Sequence, residues 1–198
     1  MSQLTEALNR IMKWLEKHQP EYAASFLPGL SRQEIDKLIA PLNLCIPEEI
    51  YELYQWRNGR SVEPIIYADI PNFDIYNFLP LKEVLKPDVI DWINLSPFDG
   101  GFLTAEYQNK TFFPFIGFEP TTCAVVISDK QEEHYPVVVL YSEGSEPTLY
   151  AISITTMMSM CADAYETGAY YVDDKDRRYV NTDHNKLIEI LDKYHAFD

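Results

Sequence analysis

Residues 53–61 read LYQWRNGRS, an aromatic run set against a charged Asn-Gly turn. Its reading decides the fold, because Trp56-Arg57-Asn58-Gly59-Arg60 is either a working site or the place where a helix stops. Asn and Gly tolerate the left-handed backbone in which helices commonly end. Arg57 near such an end complements the helix dipole, and Trp56 is placed to pack under the loop that follows. The stretch is therefore read as a terminus. Upstream, Pro47 suits a first helical turn, Glu48 and Glu49 favour its positive end, and Ile50, Leu53 and Tyr54 repeat at helical spacing.

Two more helices are expected before that one. Leu4, Leu8, Ile11 and Leu15 form one apolar stripe that ends before Pro20. SRQE at 31–34 has the form of a capping box, with Ile35, Leu38 and Ile39 behind it as the buried face. Beyond residue 61 the period becomes that of strands. VEPIIY (62–67), FDIYNFLPL (73–81), FFPFIGF (112–118), TCAVVIS (122–128), YPVVVLY (135–141) and TLYAI (148–152) are rich in β-branched and aromatic residues. Between the second and third of these, LKEVLKPDVIDWINL predicts a helix, or two short ones broken at Pro87. Ser153 then caps a helix that ends at Gly168, and Thr182 or Asp183 opens a last one carrying Leu187, Ile190, Leu191 and Tyr194. Asp173-Asp174-Lys175-Asp176-Arg177-Arg178 reads as an exposed linker between these two helices, and Glu132-Glu133-His134 as a solvated hairpin tip. Helices, then hairpin-connected strands, then helices indicate an α+β domain with helices packed on a mostly antiparallel sheet.

Charge narrows the partners. The formal net charge is −15 at pH 7, and residues 63–146 hold 14 acids against 4 bases. Such a field repels phosphate backbones and accommodates a basic protein partner, so direct nucleic-acid binding is not expected. No apolar stretch approaches a membrane span, and the amphipathic N-terminus is unlike a signal peptide, which makes the cytoplasm the expected location. Cys45, Cys123 and Cys161 are odd in number and widely spaced in apolar surroundings, so three buried thiols are expected rather than disulfides.

Catalytic chemistry finds little support in the residues. His18, His134, His184 and His195 stand alone, outside any helical i, i+4 pair and any CxxC or HExxH setting, so no metal and no cofactor are expected. Seven glycines form no phosphate-cradling motif. A cysteine–histidine pair assembled in space would be the remaining nucleophile, and a buried thiol beside Met157 and Met160 is the commoner arrangement.

IPEEIYELYQWRNG at 46–59, LPLKEVL at 79–85, FFPFIGF at 112–118, the strand pair after it and YAISITTMMSM at 150–160 follow one another in an order that resembles the SUKH superfamily, which includes the fungal Smi/Knr cell-wall regulators. The resemblance covers most of residues 30–168. It implies a single domain over 1–198, with 1–30 an N-terminal and 169–198 a C-terminal helical extension. Pro47, Tyr54, Trp56, Asn58, Gly59, Phe113, Pro114 and Phe115 match the shared pattern and are read as fold-defining. Where relatives often carry a Gly- and Asp-rich turn after the FPF-like strand, this chain has Glu119-Pro120. The function implied is non-catalytic: an immunity protein that binds and neutralises a toxin, such as a nuclease. The alternatives are a cytoplasmic regulatory scaffold and, third, a hydrolase. Asp69, Asp74, Tyr76, Asp99 and Phe102 are the expected partner-binding residues, since they combine carboxylates with aromatics near strand ends in the acidic middle of the chain.

Overall fold

The computed structural model describes residues 1–42, 45–61, 77–90, 107, 110–118, 121–127, 132, 134–141, 146–173 and 176–194. Helix α1 (Gln3–His18) starts at Ser2, whose hydroxyl accepts from the Thr5 amide at 3.0 Å, and all four residues of the expected stripe are buried. Pro20 opens the short α2 (Pro20–Ala24), which leads into strand β1 (Phe26–Pro28). The capping box forms as read, with Ser31 and Glu34 bonded reciprocally at the start of α3 (Arg32–Ile39). Helix α4 (Glu48–Trp56) buries Ile50, Leu53 and Tyr54.

The end of α4 corrects the reading of the opening stretch. The helix stops at Trp56, and Arg57 is already extended at φ −152°. Arg57 to Arg60 form strand β2, antiparallel to β1, with Phe26 opposite Arg60 and Pro28 opposite Arg57. The physical reason is that β1 supplies hydrogen-bond partners at once, so the backbone leaves the helix by extending rather than through an Asn-Gly reversal. Gly59 does have positive φ, at 71°, but inside the strand. Arg57 still serves the helix end, donating to the Trp56 carbonyl at 2.8 Å.

Helix α5 (Leu81–Val84) follows, and residues 87–90 form a further helical turn, so the two short helices around Pro87 are present. The strand expected over 73–81 is corrected at its end. Phe78 makes an isolated bridge to Ile116, whereas Leu81 begins α5, because Pro80 ends the extended run and opens the helix. The strand expected at 62–67 lies outside the described residues.

Strands β3 (Thr111–Phe118), β4 (Thr121–Ile127), β5 (Val137–Tyr141) and β6 (Thr148–Ala151) make an antiparallel meander in that order. The near-continuous apolar character of β4 and β5 has a direct cause: both faces of the sheet are covered. Cys123, Val125, Val137 and Val139 face the helices, while Phe112, Ala124, Val126, Val138 and Leu140 gather with Tyr107 in a second cluster on the other side.

Helix α6 (Ile154–Thr167) runs between the ends read from the sequence, Ser153 capping it and Gly168 leaving it at φ 74°. Its methionines and Cys161 are buried. The linker expected at 173–178 is corrected where it is described: Asp173 ends β7 (Tyr170–Asp173) and residues 176–178 begin β8 (Asp176–Thr182), the two strands pairing with Val172 opposite Val180. Burial of Tyr170 and Val180 outweighs the local charge. The two strands are followed by helix α7 (His184–Lys193), capped by Asp183. Among the described residues the architecture is α+β, with antiparallel sheets and helices toward both ends.

Candidate functional site

The Asn58-Gly59 pair sits at a junction. The Asn58 side chain accepts from the Leu81 amide at 3.0 Å, capping α5, which has a proline at its own cap position. A Cβ on Gly59 would stand 2.2 Å from the Pro80 nitrogen, so only glycine lets the segment 78–80 cross β2 here. The crossing is then bonded on both sides, Arg60 to the Phe78 carbonyl at 3.1 Å and Leu79 to the Phe115 carbonyl at 2.9 Å. Tyr54 lies beneath it, fully buried, its hydroxyl donating to the Leu79 carbonyl at 3.1 Å and its ring 5.1 Å from that of Phe78. Phe113 and Phe115 are buried in β3 around Pro114, where the register with β4 shifts. Pro47 stands at the start of α4. Trp56 is only partly buried: its indole N–H donates to Asn9 at 3.0 Å and its ring meets Phe26 edge-on. These contacts join the N-terminal helices to the sheet, and none presents a reactive group.

The five residues expected to bind a partner, Asp69, Asp74, Tyr76, Asp99 and Phe102, lie outside the described residues. A different feature stands out among those that are described. A recess of about 440 Å³ opens where the start of α4, the approach to β5 and the start of α6 meet, between Tyr51 and Tyr135. On one wall the Arg32 guanidinium grips Glu48 with both prongs, at 2.6 and 2.9 Å, and lies 4.0 Å from the centre of the Tyr51 ring. Tyr51 is fixed by donating to Asp36 at 2.7 Å, and burial together with that bond pushes its hydroxyl up to about 12. On the inner wall Glu49 turns away to cap α6, accepting from the Ile154 and Thr155 amides at 3.3 and 2.9 Å and from the Thr155 hydroxyl. Tyr135 accepts from the Glu132 amide at 3.1 Å, and Glu132 pairs with Lys110 at 2.5 Å.

Cys45 lines the same recess and is exposed, which corrects its reading as a buried thiol; Cys123 and Cys161 are buried. Ile46 and Pro47 beside it turn inward and are buried while Cys45 itself is left at the opening, so an apolar stretch of sequence does not by itself enclose every residue in it. Cys45 and His134 both line the recess. Full burial pushes the Cys123 thiol well up, toward the unreactive neutral form. Among the described residues no group of acids, histidines and cysteines is placed to hold a metal, and no helix is long and apolar enough to cross a membrane. The recess presents two aromatic rings, hydrogen-bonding groups and a guanidinium held on a carboxylate.

Sequence reasoning treated Glu48 and Glu49 as equivalent dipole partners and did not mark the recess. Spacing puts Glu49 and Glu52 three apart on one helix face, but that each meets a Thr just inside another helix start emerges only from the packing of the helices. No curated protein matches the chain. The profile of the SMI1 / KNR4 family (SUKH-1) matches residues 29–160, a span that includes α3 to α5, the four-stranded sheet and every residue lining the recess, and the chain accordingly belongs to that family.

Proposed function

We propose that this protein is a non-catalytic binding domain, and specifically an immunity protein that neutralises a toxin by occupying its working surface. The family includes immunity proteins and cell-wall regulators, and its immunity members act by binding toxin partners. The observation that carries the more specific reading is charge: a net −15, concentrated between residues 63 and 146, suits a basic target such as a nuclease, whose own surface must attract phosphate. In this reading the acidic middle steers the toxin. Asp69, Asp74, Tyr76, Asp99 and Phe102 provide anchors there, and the whole chain works as one domain in the cytoplasm.

The test is co-expression with a toxin domain encoded beside the gene for this chain. Restored growth together with a stoichiometric complex of the two purified proteins is expected. Persistent toxicity with no complex would overturn the immunity reading. A regulatory scaffold is the second reading, favoured by the cell-wall regulators in the same family. It predicts instead a change in cell-wall integrity on deletion in cells that lack any toxin.

A further inference from the structure

Helix α7 is attached differently from α1. Six residues of α1 are buried, from Leu4 to Leu15, whereas α7 buries Ile190 alone and leaves Ile188 55% exposed. The main polar attachment of α7 to the body runs through one carboxylate on α6. Asp163, whose side chain is 14% exposed, accepts from Lys193 at 2.5 Å and from the Tyr194 hydroxyl at 3.0 Å through Oδ2. Its other oxygen accepts from Arg10 of α1 at 2.7 Å, and Arg10 is held a second time by Glu166 at 3.0 Å. Every member of this cluster lies outside residues 29–160. The segments added before and after the family's shared span therefore share one carboxylate of α6 as a polar anchor; at its other end α7 has the longer contact of the Lys186 ammonium with the Gly168 carbonyl, at 3.5 Å.

We propose that Asp163 is an electrostatic latch from which α7 opens as a local unit, with the rest of the chain still folded. The asymmetry of the cluster supports this. Arg10 keeps Glu166 when Asp163 is lost, so α1 stays attached, while Lys193 and Tyr194 have Asp163 as their shared carboxylate and α7 has behind them one fully buried side chain, Ile190, with Leu187 and Leu191 only partly buried. Lys193 is 63% exposed, so salt reaches the pair and weakens it. Salt also relieves the mutual repulsion of a −15 chain, which stabilises the fold as a whole. The latch thus has a signature of its own: added salt loosens α7 while it firms the body.

Hydrogen exchange measured peptide by peptide on the full chain tests this. In the parent protein, α7 amides should exchange faster than those of α1 and α6, because units with few buried contacts open below the global free energy. Sodium chloride at about 1 M should speed α7 by roughly threefold and slow α6, as expected for a partly exposed ion pair. Asp163→Asn should speed α7 by roughly tenfold at low salt and remove its salt response, since a charged hydrogen-bonded group is lost. Lys193→Gln, at an exposed position that spares the core, should do the same to a smaller degree. Exchange of α7 at the rate of α6 in the parent, moving together with it under salt, would overturn the proposal. So would an α7 rate unchanged in both variants.

Discussion

Gly59 and Gly168 adopt nearly the same backbone angle, φ 71° and 74°, yet their surroundings differ completely. A Cβ at Gly168 meets nothing nearer than the Lys186 ammonium at 3.6 Å, whereas at Gly59 it would overlap the Pro80 backbone. Gly168→Ala should therefore cost only the left-handed conformation, about 1–2 kcal/mol. Gly59→Ala should cost more than about 3 kcal/mol, because backbone must also move and the β2 to β3 crossing is disturbed. Urea denaturation of the two variants checks this, and equal losses would show that the crossing tolerates the displacement. Trp56→Ala belongs to the same scale. A half-buried indole with one hydrogen bond to Asn9 implies a loss of about 2–3 kcal/mol, below the range of a fully enclosed tryptophan. Trp56→Phe should keep most of the packing and lose about 1 kcal/mol through the missing N–H.

At the scale of elements, α4 organises its neighbours through two glutamates three residues apart. Glu49 satisfies the first amides of α6, and Glu52 accepts from the Thr5 amide of α1 at 3.0 Å and from the Ser2 hydroxyl. Each carboxylate meets the positive end of a helix already capped by its own serine, Ser153 or Ser2. Either one, replaced by Ala, should lose about 1–2 kcal/mol, the usual worth of a cap with a charge in it. The two variants should loosen different places: Glu49→Ala the first turn of α6, Glu52→Ala the first turn of α1. Local hydrogen exchange distinguishes them, and loosening of both helices by either variant would mean that α4 itself had shifted.

For the whole molecule, acid and salt act through identifiable groups. The bond from Arg10 holds the Glu166 carboxyl below its ordinary range. At Asp163 burial pushes upward, and the bonds from Lys193, Arg10 and Tyr194 outweigh it, so that this carboxyl too is depressed. A depressed folded-state value means stability that is fully present above the unfolded value and is lost as pH falls through the folded one. Unfolding should therefore be independent of these two groups from neutrality down to about pH 5 and should ease below about pH 4. Asp163→Asn should flatten that acid limb in a urea titration repeated at several pH values; an unchanged limb would place the acid response elsewhere. Association with a basic partner is the other whole-molecule property. Under the proposed function, Asp69→Lys with Asp74→Lys should slow association markedly at low salt and little at high salt, because screening shortens the reach of the field. Equal rates at low salt, with the fold intact by circular dichroism, would remove that face from consideration.

Local rules acting over a few residues determined much of this protein from sequence alone. The capping box at Ser31 and Glu34, the α1 stripe, the Ser153 to Gly168 limits of α6 and the four strands of the meander depend on spacing and backbone preference within one element, and they were legible. Where α4 ended and what followed α6 were decided by what lay beside them in space. Arg57 to Arg60 became a strand because β1 offered partners, residues 170–173 and 176–182 became paired strands because Tyr170 and Val180 had a core to enter, and Cys45 was left at the surface of a recess. The candidate recess was illegible for the same reason: Arg32, Tyr51, Tyr135 and Ser153 come from segments up to about 120 residues apart, and no local periodicity marks them. The roles of Glu49, Glu52 and Asp163 likewise belong to the tertiary structure, since a carboxylate on a helix surface acquires its partner only when another helix end or a cation is packed against it.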